Sequence, residues 1–157
     1  YKRQPLYLSE VLDLHSDISS LEPKNLLPKI LLQNSKRDTI SSYSLAKDKT
    51  TVIYFWSQTQ MNHYRNSLER VNRFQKKYPS IRFVGICIQP FNSMVDEIQN
   101  IMEVDKKNQF ALVDFETARK AWVLTLLNKS IIIDSKGKIL EGFGNFSDTN
   151  FESSFEK

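Results

Sequence analysis

The stretch Trp56-Ser57-Gln58-Thr59-Gln60-Met61-Asn62-His63 puts an indole, two hydroxyls, three carboxamides and an imidazole within eight residues. A nucleophilic hydroxyl needs a neighbouring base, and the base needs a third group to orient it. His63 could be that base for Ser57 or Thr59, but no Asp or Glu stands nearby to hold its ring, so a hydrolase triad is not expected. Cys87 is the one cysteine of the chain. A single cysteine excludes an internal disulfide and a cysteine-based zinc site, and His15 and His63 do not lie at metal-ligand spacing with it. Neither a metal nor another cofactor is expected. Cys87 lies inside Phe83-Val84-Gly85-Ile86-Cys87-Ile88, where a thiol reads as a small apolar side chain of a central strand rather than a peroxidatic or sensing group. Asp114 and Asp134 read as turn residues at strand ends. Glu116, Arg119 and Lys120 read as a solvated helix face.

The elements that position these residues follow from apolar patterning. Thr51-Val52-Ile53-Tyr54-Phe55-Trp56 is β-branched and aromatic with no charge, the pattern of a strand covered on both faces. Tyr64, Leu68, Val71, Phe74 and Tyr78 then recur at helical spacing, and Pro79 marks the end of that helix. Arg82–Ile88 reads as a second strand. Pro90 and Asn92-Ser93 supply a turn and cap before a helix whose apolar stripe is Met94, Ile98, Ile101 and Met102. Phe110–Phe115 reads as a strand and Glu116–Leu127 as a third helix. Ser130–Asp134 and Lys138–Phe143 read as strands joined at Ser135-Lys136-Gly137, with glycine where a positive φ is expected. Upstream, Pro28–Leu32 and Thr39–Leu45 read as a hairpin or edge strands. Residues 1–27 read as an extension, with a short helix around Leu6–Leu14 and a polar linker over Ser16–Lys24. Residues 148–157 begin a terminal helix. A strand–helix–strand start requires a right-handed crossover and a parallel pair, and the closing hairpin adds antiparallel strands. The expected fold is α/β, with a mixed central sheet of about five strands flanked by helices in three layers.

With 157 residues, 40% of them hydrophobic, 25% charged and a net charge of +4, the chain suits one globular domain with a short extension. Its cations are scattered and often lie beside acids, as in Glu69-Arg70 and Asp105-Lys106-Lys107. That pattern reads as a solvated mixed-charge surface and not as a nucleic-acid footprint. No stretch approaches the ~18 apolar residues of a membrane span. No signal peptide is visible, and a start at Tyr1 suggests an upstream region.

Three segments carry a resemblance. Leu27-Pro28-Lys29-Ile30 with Asp38-Thr39-Ile40 and Leu45, then Val52-Ile53-Tyr54-Phe55-Trp56-Ser57, then Ile131-Ile132-Ile133-Asp134-Ser135-Lys136-Gly137-Lys138-Ile139, resemble in order the TlpA/ResA-like thioredoxin domains. These overlap in pattern with the alkyl hydroperoxide reductase/thiol-specific antioxidant type. The resemblance covers residues 28–157 and implies a three-layer thioredoxin-like fold. In that family the strand ends W-[AS]-x-x-C-x-x-C. Here Gln60 stands at the position of the nucleophilic cysteine and His63 at that of the resolving one. The chemistry needs a thiolate and a second thiol to release the mixed disulfide, and neither side chain supplies one. The family also places a cis-proline opposite the cysteines, six residues before the aspartate that matches Asp134; that position is Asn128, and no proline follows Pro90.

The chain is therefore expected to be a degenerate member without thiol–disulfide activity and with no catalytic residues. Its vestigial site, Trp56, Gln60, His63 and Asn128, is expected to form a groove for a polypeptide partner, because strand addition needs no thiol. Trp56 either lines that groove or packs beneath it. The alternative is an oxidoreductase by family, with the activity supplied by another part of a longer protein. A third reading is a domain that only completes a larger protein. The resemblance implies the periplasm or outer cell envelope of a Bacteroidetes-type bacterium.

Overall fold

A computed structural model describes residues 19–46, 48–148 and 151. The strand β3 (Thr51–Trp56) is buried along its whole length, as its uncharged sequence requires. It lies parallel to β4 (Arg82–Cys87), with Thr51 opposite Arg82 and Trp56 opposite Cys87. Strand β5 (Gln109–Leu112) continues the parallel set beyond β4. On the other side of β3, β6 (Lys129–Ile133) runs antiparallel, and β7 (Ile139–Asn145) pairs antiparallel with β6. The upstream hairpin, β1 (Leu31–Gln33) and β2 (Thr39–Ser41), joins through β1 to β5. The sheet thus has seven strands in the order β2-β1-β5-β4-β3-β6-β7. The sequence pointed to about five; the hairpin is hydrogen-bonded into the main sheet rather than set beside it.

Helix α1 (Met61–Lys77) follows β3 and packs one sheet face. Tyr64 and Phe74 are buried, Leu68, Val71 and Tyr78 are partly so, and Phe74 stacks on Phe83 with ring centroids 6.0 Å apart. The Tyr78 N–H donates to the Phe74 carbonyl at 2.7 Å and closes the helix just before Pro79. Helix α2 (Ser93–Ile101) is capped by Asn92, whose side chain accepts from the Val95 N–H at 3.0 Å. Its inward stripe is Val95, Ile98, Gln99 and Met102. Met94 and Ile101, expected on that stripe, face outward at 55% and 81% exposure. Helix α3 (Phe115–Ala121) covers the opposite face. There Trp122 meets Phe55 edge-on at 6.1 Å, and its indole N–H donates to the Pro28 carbonyl at 2.8 Å.

Helix α3 is shorter than the expected Glu116–Leu127. Its chain turns at Val123, which has φ +51°, and the residues from there to Asn128 form a loop. Asp114 is more than a turn residue: it caps α3, accepting from the Glu116 and Thr117 N–H groups, and these bonds with the Thr117 hydroxyl hold its carboxyl below the usual range. Asp134 does hold the β6–β7 turn, accepting from the Lys136 and Lys138 N–H groups at 2.9 Å, and Gly137 there has φ +86°.

Part of the stretch read as an extension packs on this body. Leu21 and Leu27 are buried in the core beneath α3. The Lys24 N–H donates to the Ile139 carbonyl, and the Ile139 N–H donates to the Asn25 carbonyl, each at 2.8 Å. The helix expected around Leu6–Leu14, and the terminal helix beyond Asp148 apart from Phe151, lie outside the described residues.

Candidate functional site

The parallel pair β3–β4 ends at Trp56 and Cys87, and two loops leave the sheet side by side. Ser57–Gln60 leads into α1, and Ile88–Asn92 leads into α2. They are strapped together by Gln89, whose side-chain N–H donates to Ser57 Oγ at 2.8 Å while its Oε1 accepts from the Gln58 backbone N–H at 3.1 Å. Ser57 Oγ also lies 2.9 Å from Thr59 Oγ1 and accepts from the Thr59 N–H. Gln58 Oε1 accepts from Asn92 Nδ2 at 3.2 Å. The Ser57 and Thr59 hydroxyls and the Gln58, Gln89 and Asn92 amides are thus spent on one another. Gln89 holds this arrangement and was not singled out from sequence, since a glutamine after a strand carries no signal by its type.

Gln60 is the N-cap residue of α1. It is exposed, and its side chain makes no capping bond. One turn on, His63 is half-buried and its Nε2 lies 2.7 Å from Asn128 Oδ1. The same Asn128 oxygen accepts from the Ser147 hydroxyl at 2.9 Å. A carboxamide oxygen only accepts, so Nε2 is the donor of this contact. Nδ1 is buried with no hydrogen-bond partner among the described residues. Asn128 is fixed in turn, its own carbonyl accepting from the Phe146 N–H at 2.7 Å. The fold therefore brings His63 and Asn128, 65 positions apart, into direct contact. Ser147, the third member, had no sequence signal. The described peptide bonds, Leu127–Asn128 included, are all trans.

Trp56 does not reach the surface. It is wholly buried and stacks on Tyr64 with ring centroids 3.7 Å apart and planes 9° apart. Of the two roles open to it, it takes packing: the alternation of β3 turns it inward under α1, and the groove loses it as a lining residue. Cys87 lies beside it, fully buried among Trp56, Tyr64, Phe91, Val95 and Ala111. Burial pushes the thiol up to about 11, and its Sγ lies 3.3 Å from Gln89 Oε1.

This arrangement offers neither a thiolate nor a nucleophile with its base. Ser57 and Thr59 bond to each other and to Gln89, while His63 bonds to Asn128. Among the described residues no three His, Cys, Asp or Glu side chains group to hold a metal ion; His15 lies outside them. What the site does offer is surface. Beside Asn128, the loop residues Leu124 and Leu127 join Phe55, Ile88 and Phe115 around an apolar cleft of about 120 Å³. Leu126, 72% exposed, stands at its rim.

No protein-family model matches this sequence, and no curated protein matches it. Solved structures do. A domain of a candidate thiol-disulfide isomerase from Cytophaga hutchinsonii superposes with a TM-score of 0.70 at 12% identity, over 87% of this chain and 92% of its own. The C-terminal domain of a candidate thiol-disulfide oxidoreductase from Bacteroides thetaiotaomicron gives 0.66 at 23% identity, over 87% and 95%. A thiol-disulfide oxidoreductase from Bacteroides fragilis gives 0.62 at 18% identity, over 84% and 97%. At these identities the likeness establishes the fold.

Proposed function

We propose that this chain, thioredoxin-like in fold but with a single cysteine, is a redox-inactive binding or structural module that contacts a polypeptide. One observation carries the reading. The position of the nucleophilic cysteine is held by Gln60, and the position of the resolving cysteine is held by His63, whose ring is bonded to Asn128. A dithiol cycle needs two sulfurs that exchange; this site has a fixed imidazole–carboxamide contact instead. Gln60 and Asn62 stand exposed at the start of α1, where the first backbone N–H groups of a helix lack internal partners. The apolar cleft includes Leu127, the chain neighbour of the Asn128 that bonds His63. Together they suit an extended peptide, with polar groups to meet its backbone and an apolar recess for a side chain.

The same reading puts the domain in the cell envelope of a Bacteroidetes-type bacterium, as one part of a longer protein. The similar structures from Bacteroides and Cytophaga, two of them domains of larger proteins, support this. Two measurements test the function. Reduction of insulin by dithiothreitol is expected to run at the same rate with and without the protein; a several-fold acceleration, abolished by Cys87→Ala, refutes it. Partner capture from the envelope is expected to fall in the double variant Gln60→Glu/His63→Glu and to persist in Arg119→Glu/Lys120→Glu on the remote face of α3. The reverse pattern would place the binding surface elsewhere.

A further inference from the structure

We infer that a second cavity, beneath the loop that precedes β6, binds a short-chain apolar carboxylate through Lys129. This does not rest on the binding-module reading. Lys129 opens β6 and is almost wholly buried, at 7% exposure. Its Nζ has no hydrogen-bond partner among the described residues. The group closest to satisfying it is the Phe143 ring, whose centroid lies 3.9 Å away. A ring face attracts an ammonium but accepts none of its three N–H donors in a directed bond, so most of the desolvation cost of burial stays uncompensated. Glu141, the acid whose charge favours the ammonium, is not bonded to it; its Oε1 accepts from the Phe143 N–H at 3.1 Å. Burial accordingly draws the amine down to about 8. A lysine without a hydrogen-bond partner among the described residues, buried at the start of a sheet strand, is a group ready for an anion that those residues do not supply.

The space beside it says what fits. A cavity of about 200 Å³ is lined by Lys129 and Phe143 with the apolar Val123 and Leu126, the polar Thr125, Asn128 and Asn145, and Gly144. Its exposed wall is mostly apolar, with one cation and three uncharged polar side chains beside it, which suits a ligand having one anionic end and an apolar body. A carboxylate gives the ammonium the charge-assisted bonds it lacks, and an alkyl tail lies against Val123 and Leu126. Phe143, 46% exposed, lies over the amine. Leu126, 72% exposed, forms the mouth.

An amide-resolved NMR titration of the whole chain tests this, with hexanoate, hexanol and hexylamine as probes at matched ionic strength. Hexanoate is expected to shift the Leu126, Lys129 and Phe143 resonances saturably, and to bind about tenfold or more tighter than hexanol, the scale of a hydrogen bond to a charged group. Lys129→Met, which keeps the stem and removes the charge, is expected to erase that preference. Should Lys129→Met melt below the working temperature, Leu126→Glu serves instead: it alters a side chain already in solvent, sets a like charge at the mouth, and is expected to weaken hexanoate about tenfold. Equal affinity for hexanoate and hexanol, preference retained in a folded Lys129→Met, or unchanged affinity in Leu126→Glu each overturns the inference. So does binding of a leucine-terminated peptide in place of hexanoate.

Discussion

At the level of single residues, the loops at the ends of β3 and β4 are tied together by their own side chains. His63 and Asn128 close on each other, Gln89 ties Ser57 to Gln58, and Trp56 lies under Tyr64. Cys87 is left as packing. Its thiol is wholly buried, and the apolar walls raise it to about 11, so at neutral pH almost none is thiolate, the reactive form. Labelling by a thiol reagent at pH 7.5 is expected to proceed only as fast as the chain opens, and to accelerate many-fold in denaturant. Equal rates with and without denaturant would mean that the β4 core around Cys87 is open to solvent. The Phe83–Ile88 run placed Cys87 inside a strand, and the family resemblance, counted back from Asp134, singled out Asn128, which the fold sets against His63. What could not be read was partnership. Ser147 and Gln89 have ordinary surface residue types, and only the folded chain brings them to Asn128 and Ser57. Lys129 was hidden for the opposite reason, since lysine by type belongs outside.

Among the elements, legibility followed how strongly a pattern is tied to burial. Strand β3 was unmistakable, because six uncharged residues in a row can only be covered on both faces. Helix α2 was recognised but rotated. Methionine and isoleucine at 94 and 101 drew the stripe to themselves, whereas buried Phe91 and the Asn92 cap set the phase that turns Val95 and Gln99 inward. Helix α3 was drawn too long because Ala121–Leu127 is apolar but for Thr125. Its stop is Val123 at φ +51°, a conformation that a β-branched residue rarely adopts and that its type therefore conceals. The clamp between residues 21–27 and β7 was also invisible, yet it depends on one glycine. A Cβ at Gly142 would lie 2.3 Å from the Leu21 carbonyl oxygen and 2.9 Å from Leu21 Cβ. Neither neighbour can yield without moving backbone. Gly142→Ala is expected to cost about 1–3 kcal/mol, as overpacking does, and to make the segment before Pro28 the first site cut in limited proteolysis. Gly137→Ala, which meets nothing within 4 Å and suffers only its φ of +86°, is the control: it should lower stability by about 1 kcal/mol without changing the cleavage pattern. Identical patterns in the two variants would show that Gly142 does not hold the clamp.

Taken as a whole, the molecule buries groups of opposite titration sense, and its alkaline stability is their difference. Lys129 is held down to about 8 by burial, against about 10.4 in an unfolded chain. Between those values the unfolded state binds the extra proton, so stability rises with pH as the buried charge is relieved. Cys87 acts in the other direction. Its unfolded thiol ionises near 8.5–9, while the folded one keeps its proton to about 11, so this contribution is complete below pH 8.5 and is lost as pH climbs toward 11. Tyr54, raised to about 12 by burial despite its bond from Gln109, and Tyr64, raised in the same sense by burial, extend the loss above pH 10. The wild-type chain is therefore expected to hold a nearly level urea midpoint from pH 8 to 10, because the lysine gain offsets the thiol loss, and to fall beyond it. The single variants separate the two. Lys129→Met removes the rising component, so its midpoint should be highest near pH 8 and decline steadily above. Cys87→Ala removes the falling component, so its midpoint should climb from pH 8 to 10 from a lower starting stability, since a small cavity replaces the sulfur. Parallel curves for the wild type and Lys129→Met would show that the Lys129 amine is solvated in the folded chain. The side chain would then extend into solvent and not lie against Phe143, and the cavity beside it would lack the cation on which its ligand chemistry depends.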